Sequence, residues 1–335
     1  MRNSVIHDAF IEAVQTAKSV FITAHVGPDG DTLGSMLAFK HAFEKACPHI
    51  HGVHCVIAGK MPDVYRFLPG IRDVKNIETD PEILDYYDLA ISVDCGSADR
   101  FGPAERVFSA AGVSVNIDHH ISNKQFGKIN INVPTAAASG EVVADLLTEL
   151  KIPLDANIAT CLYTALVTDT GGFKYSNATA KAFELAAKLV TAGADPEYIY
   201  KELYEKRPRA QALMQAEALS KTRFNEDYTL GWTLVDRAML KKHGALEEYI
   251  DGLVESIRQM DTVVIAAVFK ETPDGNTKIS LRSDSHAIDV AAVMEPFDGG
   301  GHKMAAGCTM LMPLREAEAT LIPILKDKIR QKISV

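Results

Sequence analysis

Polar clusters that each follow a short apolar run constrain this chain more than any other feature. His25-Val26-Gly27-Pro28-Asp29-Gly30-Asp31 follows Val20-Phe21-Ile22-Thr23, and Asp94 follows Leu89-Ala90-Ile91-Ser92-Val93. Asp118-His119-His120 follows Val113-Ser114-Val115-Asn116-Ile117, and Thr168-Asp169-Thr170-Gly171-Gly172 reads as a fourth such strand end. Near-continuous apolar runs alternating with helical stretches are the pattern of a parallel sheet covered on both faces. In an open sheet of that kind ligands bind beyond the carboxyl ends of the strands, so side chains placed there converge on one region.

Further strands are expected at 54–58 and 128–132, and helices at 33–46, 140–150, 157–168 and 179–192, with Gly34-Ser35 as a helix start. A length of 335 residues points to two domains. The first is expected to span 1–194. A polar helical connector follows over 195–221, carrying Lys206-Arg207-Pro208-Arg209, a charge run whose plainest role is to face water. The second, smaller α/β domain at 222–335 has strands at 228–235, 263–270, 277–282 and 307–311, with Pro273-Asp274-Gly275-Asn276 as a hairpin turn. Helices are expected at 288–294 and 314–332.

Any one of these polar residues is ordinary loop chemistry. Their coincidence after separate apolar runs is not, and Asp29 and Asp31 on one tight loop repel each other unless a cation sits between them. His25, Asp29, Asp31, Asp94, His119 and Asp169 are more ligands than one cation needs, which points to two metals. Asp94, standing alone after a central strand, is the candidate bridge. Asp118 and His120 are the expected catalytic pair, the carboxylate orienting an imidazole that faces substrate. Carboxylate and imidazole together suit Mn²⁺, with Mg²⁺, Co²⁺ and Zn²⁺ ranked behind it. Later in the chain, Gly299-Gly300-Gly301-His302, with Arg282 and Ser283 before it and Lys303 after, forms a candidate phosphate grip.

Composition narrows the substrate. A net charge of −9 without a basic run offers no track for long nucleic acid, whereas a short anion held locally remains compatible. Cys47, Cys55, Cys95, Cys161 and Cys308 are odd in number and scattered, against a disulfide framework or a zinc ribbon. No apolar run is long enough to span a bilayer and the first residues lack signal-peptide form, so a cytoplasmic chain without a membrane partner is expected.

The combination His25-x-x-x-Asp29-x-Asp31, Asp94, Asp118-His119-His120, Asp169 and Gly-Gly-Gly-His resembles the DHH phosphoesterase superfamily. Lys278-Ile279-Ser280-Leu281-Arg282-Ser283 upstream of the glycines and Ala305-Ala306-Gly307 downstream resemble the DHH-associated domain of the nanoRNase and phosphoadenosine-phosphate phosphatase group. That resemblance implies an α/β fold in two domains with the active site in the cleft between them. It implies one metal on His25, Asp29 and Asp94, another on Asp31, Asp94, His119 and Asp169, and His120 on the scissile phosphate. Arg282 and His302 would hold the rest of the nucleotide, and Arg100 and Lys174 would lie beside substrate, Lys174 where the group often carries arginine. The implied substrates are very short oligoribonucleotides and 3′-phosphoadenosine 5′-phosphate. A soluble phosphodiesterase of cyclic or linear dinucleotides is the alternative, and a homodimer is compatible with either. A nucleotide-binding regulator without catalysis would show a replaced ligand, and none is replaced.

Overall fold

Phe10, Ala13, Val14 and Ala17 recur at helical spacing and are buried, which makes the first segment a helix, α1 (Arg2–Thr16), laid against an edge of the first sheet. Sequence reading assigned no element there. The structure is a computed structural model that describes residues 2–284 and 288–333, and the chain divides into two compact units at Lys206/Arg207.

The first unit continues through β1 (Ser19–Thr23), α2 (Gly30–Ala46), β2 (Gly52–Ile57), β3 (Lys75–Asn76), β4 (Leu89–Val93), α3 (Glu105–Ala110), β5 (Val113–Asp118) and β6 (Ile129–Asn132). Helices α4 (Ser139–Glu149), α5 (Ala156–Asp169), α6 (Ala180–Thr191) and α7 (Pro196–Tyr200) complete it. All six strands are parallel, in the order β3-β2-β1-β4-β5-β6. The alternation of side chains along each strand feeds two cores. Val20 and Ile22 of β1, with Leu89, Ile91 and Val93 of β4, join one with α2, α4 and α5, whereas Phe21 and Ala90 join the other with Phe101 and Phe108. The chain winds outward in both directions from neighbouring β1 and β4, so a topological switch point lies between their carboxyl ends.

Helix α2 begins at Gly30, four residues before the expected Gly34-Ser35 start, because Asp29 caps it by accepting from the Thr32 N–H at 3.0 Å. Two glycines one helical turn apart let α2 lie close against α5. A Cβ at Gly34 would sit 2.3 Å from the Cys161 carbonyl oxygen, and one at Gly30 would sit 2.4 Å from Thr168 Cγ2. The first obstacle is backbone, so Gly34→Ala must push the helices apart. We expect it to cost roughly 2 kcal/mol or more by urea unfolding, the scale of an overpacked core. A midpoint unchanged from wild type would mean that the pair has slack.

The second unit contains α8 (Arg209–Ser220), β7 (Arg223–Phe224), β8 (Leu230–Val235), α9 (Arg237–His243), α10 (Leu253–Arg258), β9 (Ile265–Glu271) and β10 (Thr277–Ser283). It ends with α11 (Val290–Met294), β11 (Gly300–His302), β12 (Ala305–Met310) and α12 (Leu314–Ile333). Its sheet runs β11-β12-β10-β9-β8-β7, antiparallel except for the parallel β8–β9 pair. Alternate β9 residues again enter two cores: Ile265, Ala267 and Phe269 face Leu321 and Leu325 of α12, while Ala266 and Val268 join Leu253 and Ile257 of α10. The stretch read as a connector, 195–221, is shared, with α7 in the first unit and α8 in the second. Among the described residues no helix is long and apolar enough to cross a membrane.

Candidate metal centre

Three strand ends and two helix ends of the first unit build the site. His25 follows β1 and Asp94 follows β4, on either side of the switch point, while Asp118 ends β5. Asp29 caps α2 and Asp31 lies buried in its first turn. Asp169, read as a fourth strand end, is instead the last residue of helix α5, whose residues from Ile158 to Val167 are buried but for one. The glycine-mediated approach of α2 to α5 places it beside Asp31.

Among the described residues three groups of donor atoms come within 4.8 Å of one another: His25, Asp29 and Asp94; Asp31, His119 and Asp169; and Asp94, His119 and His120. His119 Nε2 stands 3.8 Å from Asp31 Oδ2, 3.7 Å from Asp94 Oδ1 and 3.6 Å from Asp169 Oδ2. His25 Nε2 is 3.9 Å from Asp94 Oδ2. Such separations are too long for hydrogen bonds and suit donors that share a cation.

The donor set fits divalent ions by a further test. His25 Nδ1 donates to its neighbour's carbonyl, Val26 O, at 3.0 Å, and His119 Nδ1 donates to Ala136 O at 3.2 Å. His119 can thereby present Nε2 to the carboxylates, the arrangement that metal-binding histidines adopt, while His25 Nε2 lies 3.0 Å from the Thr32 hydroxyl. Electrostatics point the same way. Burial, then Asp94, Asp169 and Asp29, push the Asp31 carboxyl well above its ordinary range, and burial with Asp29 pushes Asp94 up to about 6. Asp169 is raised by burial and Asp29. Carboxylates that so resist joint ionisation are relieved by bound cations.

His120 differs from His119. Its Nδ1 bonds Asp118 Oδ1 at 2.7 Å, which raises the imidazole to about 8, and its ring is partly exposed. Burial of Asp118 works against ionisation, yet bonds from His120 and Asn123 hold its carboxyl below the ordinary value. His120 thus stands as a cation near neutral pH and can donate a proton.

Sequence reading missed the residues that hold the ligands. The first two backbone N–H groups of α4 grip Asp31, Ser139 N at 2.6 Å and Gly140 N at 2.8 Å. One hydroxyl reaches each Asp94 oxygen: Ser139 donates to Oδ1 at 3.1 Å and Thr32 donates to Oδ2 at 2.7 Å. Asn123 donates to Asp118 and Asn177 donates to Asp169. Thr32, one place after Asp31, was within reach of inspection; the others needed the tertiary fold.

The substrate-side candidates divide between the units. Arg100 is exposed, and its carbonyl accepts from Val26 N at 2.8 Å, beside His25. Lys174 is exposed in the loop after Asp169. In the second unit Arg282 donates from Nε to Glu255 at 2.8 Å and, with Lys278, Gly299 and Gly300, lines a surface cavity of about 620 Å³. Ser283 is buried. The glycine run is partly a strand: Gly300, Gly301 and exposed His302 pair with β12, Gly301 at φ 144° where a Cβ would meet Ala305 O at 2.4 Å.

Residues 19–166 match the model of the DHH family, N-terminal domain, and residues 235–331 match the DHHA1 domain. A bifunctional oligoribonuclease and PAP phosphatase NrnA of Thermus thermophilus is 30% identical over 314 residues, 92% of this chain and 90% of that protein. The chain belongs to the DHH family. A probable bifunctional oligoribonuclease and PAP phosphatase NrnA of Streptococcus mutans is 24% identical over 294 residues, 88% of this chain and 90% of that protein. Among solved structures, an exopolyphosphatase-related protein from Bacteroides fragilis superposes with a TM-score of 0.87 at 24% identity, covering 98% of this chain and 96% of that one. This DHH-family chain is accordingly a phosphoesterase whose Asp and His groups could hold divalent metal.

Proposed function

We propose that this enzyme hydrolyses very short oligoribonucleotides to mononucleotides and 3′-phosphoadenosine 5′-phosphate to AMP. The observation that carries the reading is Asp94, whose carboxylate belongs to two donor groups at once. His25, Asp29 and Asp94 would hold one metal and Asp31, Asp94, His119 and Asp169 the other, Mn²⁺ by preference. Bound there, the metals supply Lewis acidity and acidify a water enough for attack on phosphorus near neutral pH. His120, kept cationic by Asp118, donates to a phosphate oxygen or to the departing ester oxygen. Arg100 and Lys174 contact the phosphate backbone. In the domain read at 222–335, Arg282, with Gly299, Gly300, Gly301 and His302, binds the remainder of the nucleotide, and Ser283, expected from sequence to touch it, is buried. The activities for which the Thermus thermophilus and Streptococcus mutans relatives are named support these substrates.

The test is a product time course with Mn²⁺ on labelled oligoribonucleotides, 3′-phosphoadenosine 5′-phosphate and a cyclic dinucleotide in parallel. Catalytic efficiency is expected to be highest at about two to five nucleotides and to stay level or fall with length, since added phosphates meet an acidic surface. A strand of about 24 nucleotides degraded more efficiently than a dinucleotide at physiological salt would point to a long-strand exonuclease. Selective opening of the cyclic dinucleotide would favour the phosphodiesterase alternative.

A further inference from the structure

Four tyrosines of the first unit gather beside the metal centre without a role in it. Tyr200 and Tyr204 lie one turn apart, rings 4.7 Å between centroids, on α7 and the π-helical turn Lys201–Glu205 that extends it. Burial pushes the Tyr204 phenol up, with Tyr200 and Tyr175 close enough to add to the effect, and burial, then Asp29 and Tyr204, push up that of Tyr65. Two of them pack on the loop leaving Asp169. A Cβ at Gly171 would sit 2.4 Å from the Tyr175 ring, and one at Gly172 would sit 2.9 Å from the Tyr200 hydroxyl. Both glycines have positive φ, 57° and 71°, so the loop follows a path open to few other residues. On the other flank, the Tyr65 hydroxyl has a backbone hydrogen bond with Gly30 and feels the Asp29 carboxylate. The cluster thus touches the chain next to two candidate ligands.

Rings that served only as core filling would be covered. Tyr175 is 62% exposed, Tyr200 41% and Tyr204 38%. Neutral aromatic faces beside a phosphate-handling centre, with exposed Lys174 next to Tyr175, match one ligand chemistry: a flat base joined to an anion. We propose that Tyr175, Tyr200 and Tyr204 form a stacking site for a nucleobase of the nucleotide whose phosphate lies at the metal centre. This rests on the phosphoesterase reading above and adds to it a base subsite in the first unit. Stacking accepts any base, so the site confers a preference for nucleotides over bare phosphate esters without a preference of sequence.

The Mn²⁺-loaded full chain tests this with the diadenosine dinucleotide and with the same dinucleotide lacking one base, each position in turn. Tyr175→Ala and Tyr200→Ala should raise KM for the complete dinucleotide at least about fivefold with much smaller change in kcat. Tyr→Phe at each position should restore KM, because the ring and not the hydroxyl is required. Against one of the two abasic dinucleotides the alanine penalty should largely vanish. A 2-aminopurine base in the dinucleotide should be quenched as it binds the wild-type enzyme, a readout that needs no variant to fold. Equal alanine penalties with and without the base, no rescue by phenylalanine, or no quenching would overturn the stacking site while leaving the hydrolase reading intact. A wild-type enzyme that turns over no dinucleotide would overturn both.

Discussion

Asp94→Asn is expected to lower kcat on a dinucleotide by on the order of 10³-fold or more, about 4 kcal/mol in the barrier, with the fold retained. Asp94 is the one carboxylate that belongs to two of the donor groups found among the described residues, one with His25 and Asp29 and the other with His119 and His120. Removing its charge weakens both cation positions at once, whereas loss of Asp29 or Asp169 strikes one. Asparagine is the informative replacement because Asp94 has a backbone φ of 54°, a left-handed conformation that asparagine tolerates and alanine resists. The amide keeps one oxygen and can still accept from Thr32 or Ser139. Circular dichroism, metal stoichiometry and turnover together check the prediction. Near wild-type turnover with two metals still bound would refute Asp94 as the bridge.

Metal-free protein is expected to be more stable near pH 5 than near pH 7.5, the reverse of ordinary carboxylate behaviour. Asp94 is raised from 3.8 to about 6, with Asp31 and Asp169 also raised. Across that interval the folded state binds more protons than the unfolded chain, so stability falls as pH rises through it. For Asp94 the whole shift corresponds to roughly 3 kcal/mol, about half of which falls between pH 5 and pH 7.5. His120, raised to about 8, acts in the same direction, its contribution present below the ordinary histidine value and lost as pH passes 8. Asp118, held low, loses its contribution only in stronger acid. Divalent metal should reverse the trend, adding most stability at pH 7.5 and least at pH 5, where protons compete for the same oxygens. Thermal melts from pH 5 to 8 in chelator and in Mn²⁺ measure this directly. A metal-free melting temperature that climbed steadily from pH 5 to 8 would show that the carboxylates do not crowd one another.

Much of the site was legible before any coordinates. Apolar runs ending in His25, Asp94 and Asp118 define strands of a parallel sheet, and a parallel sheet gathers the loops that leave its strands at one edge. Chain order and residue type were enough, because the pairing of central strands is set by hydrophobic runs that can be satisfied in few ways. The same local signals located most of the helices and the mixed strands of the second unit. They passed over α1, whose buried residues occupy one narrow stripe, the short helices α3, α9 and α10, and the two-residue β3 and β7, too short to show a period.

Tertiary structure decided which groups meet. Asp169 lies at a helix end, and it reaches Asp31 because Gly30 and Gly34 let two helices approach more closely than side chains would permit. Ser139 and Gly140 hold Asp31 from more than a hundred residues away, and hydroxyls from α2 and α4 reach the two oxygens of Asp94. Tyr200 meets the loop after Asp169 only once α7 packs on it. The sequence by itself determined the strand-end chemistry and the family, since local pattern dictates strands and strand ends dictate where their loops emerge. Only the packing of helix on helix decided how those groups are oriented and held, because contacts between distant segments depend on side-chain volume and backbone approach that no local pattern carries.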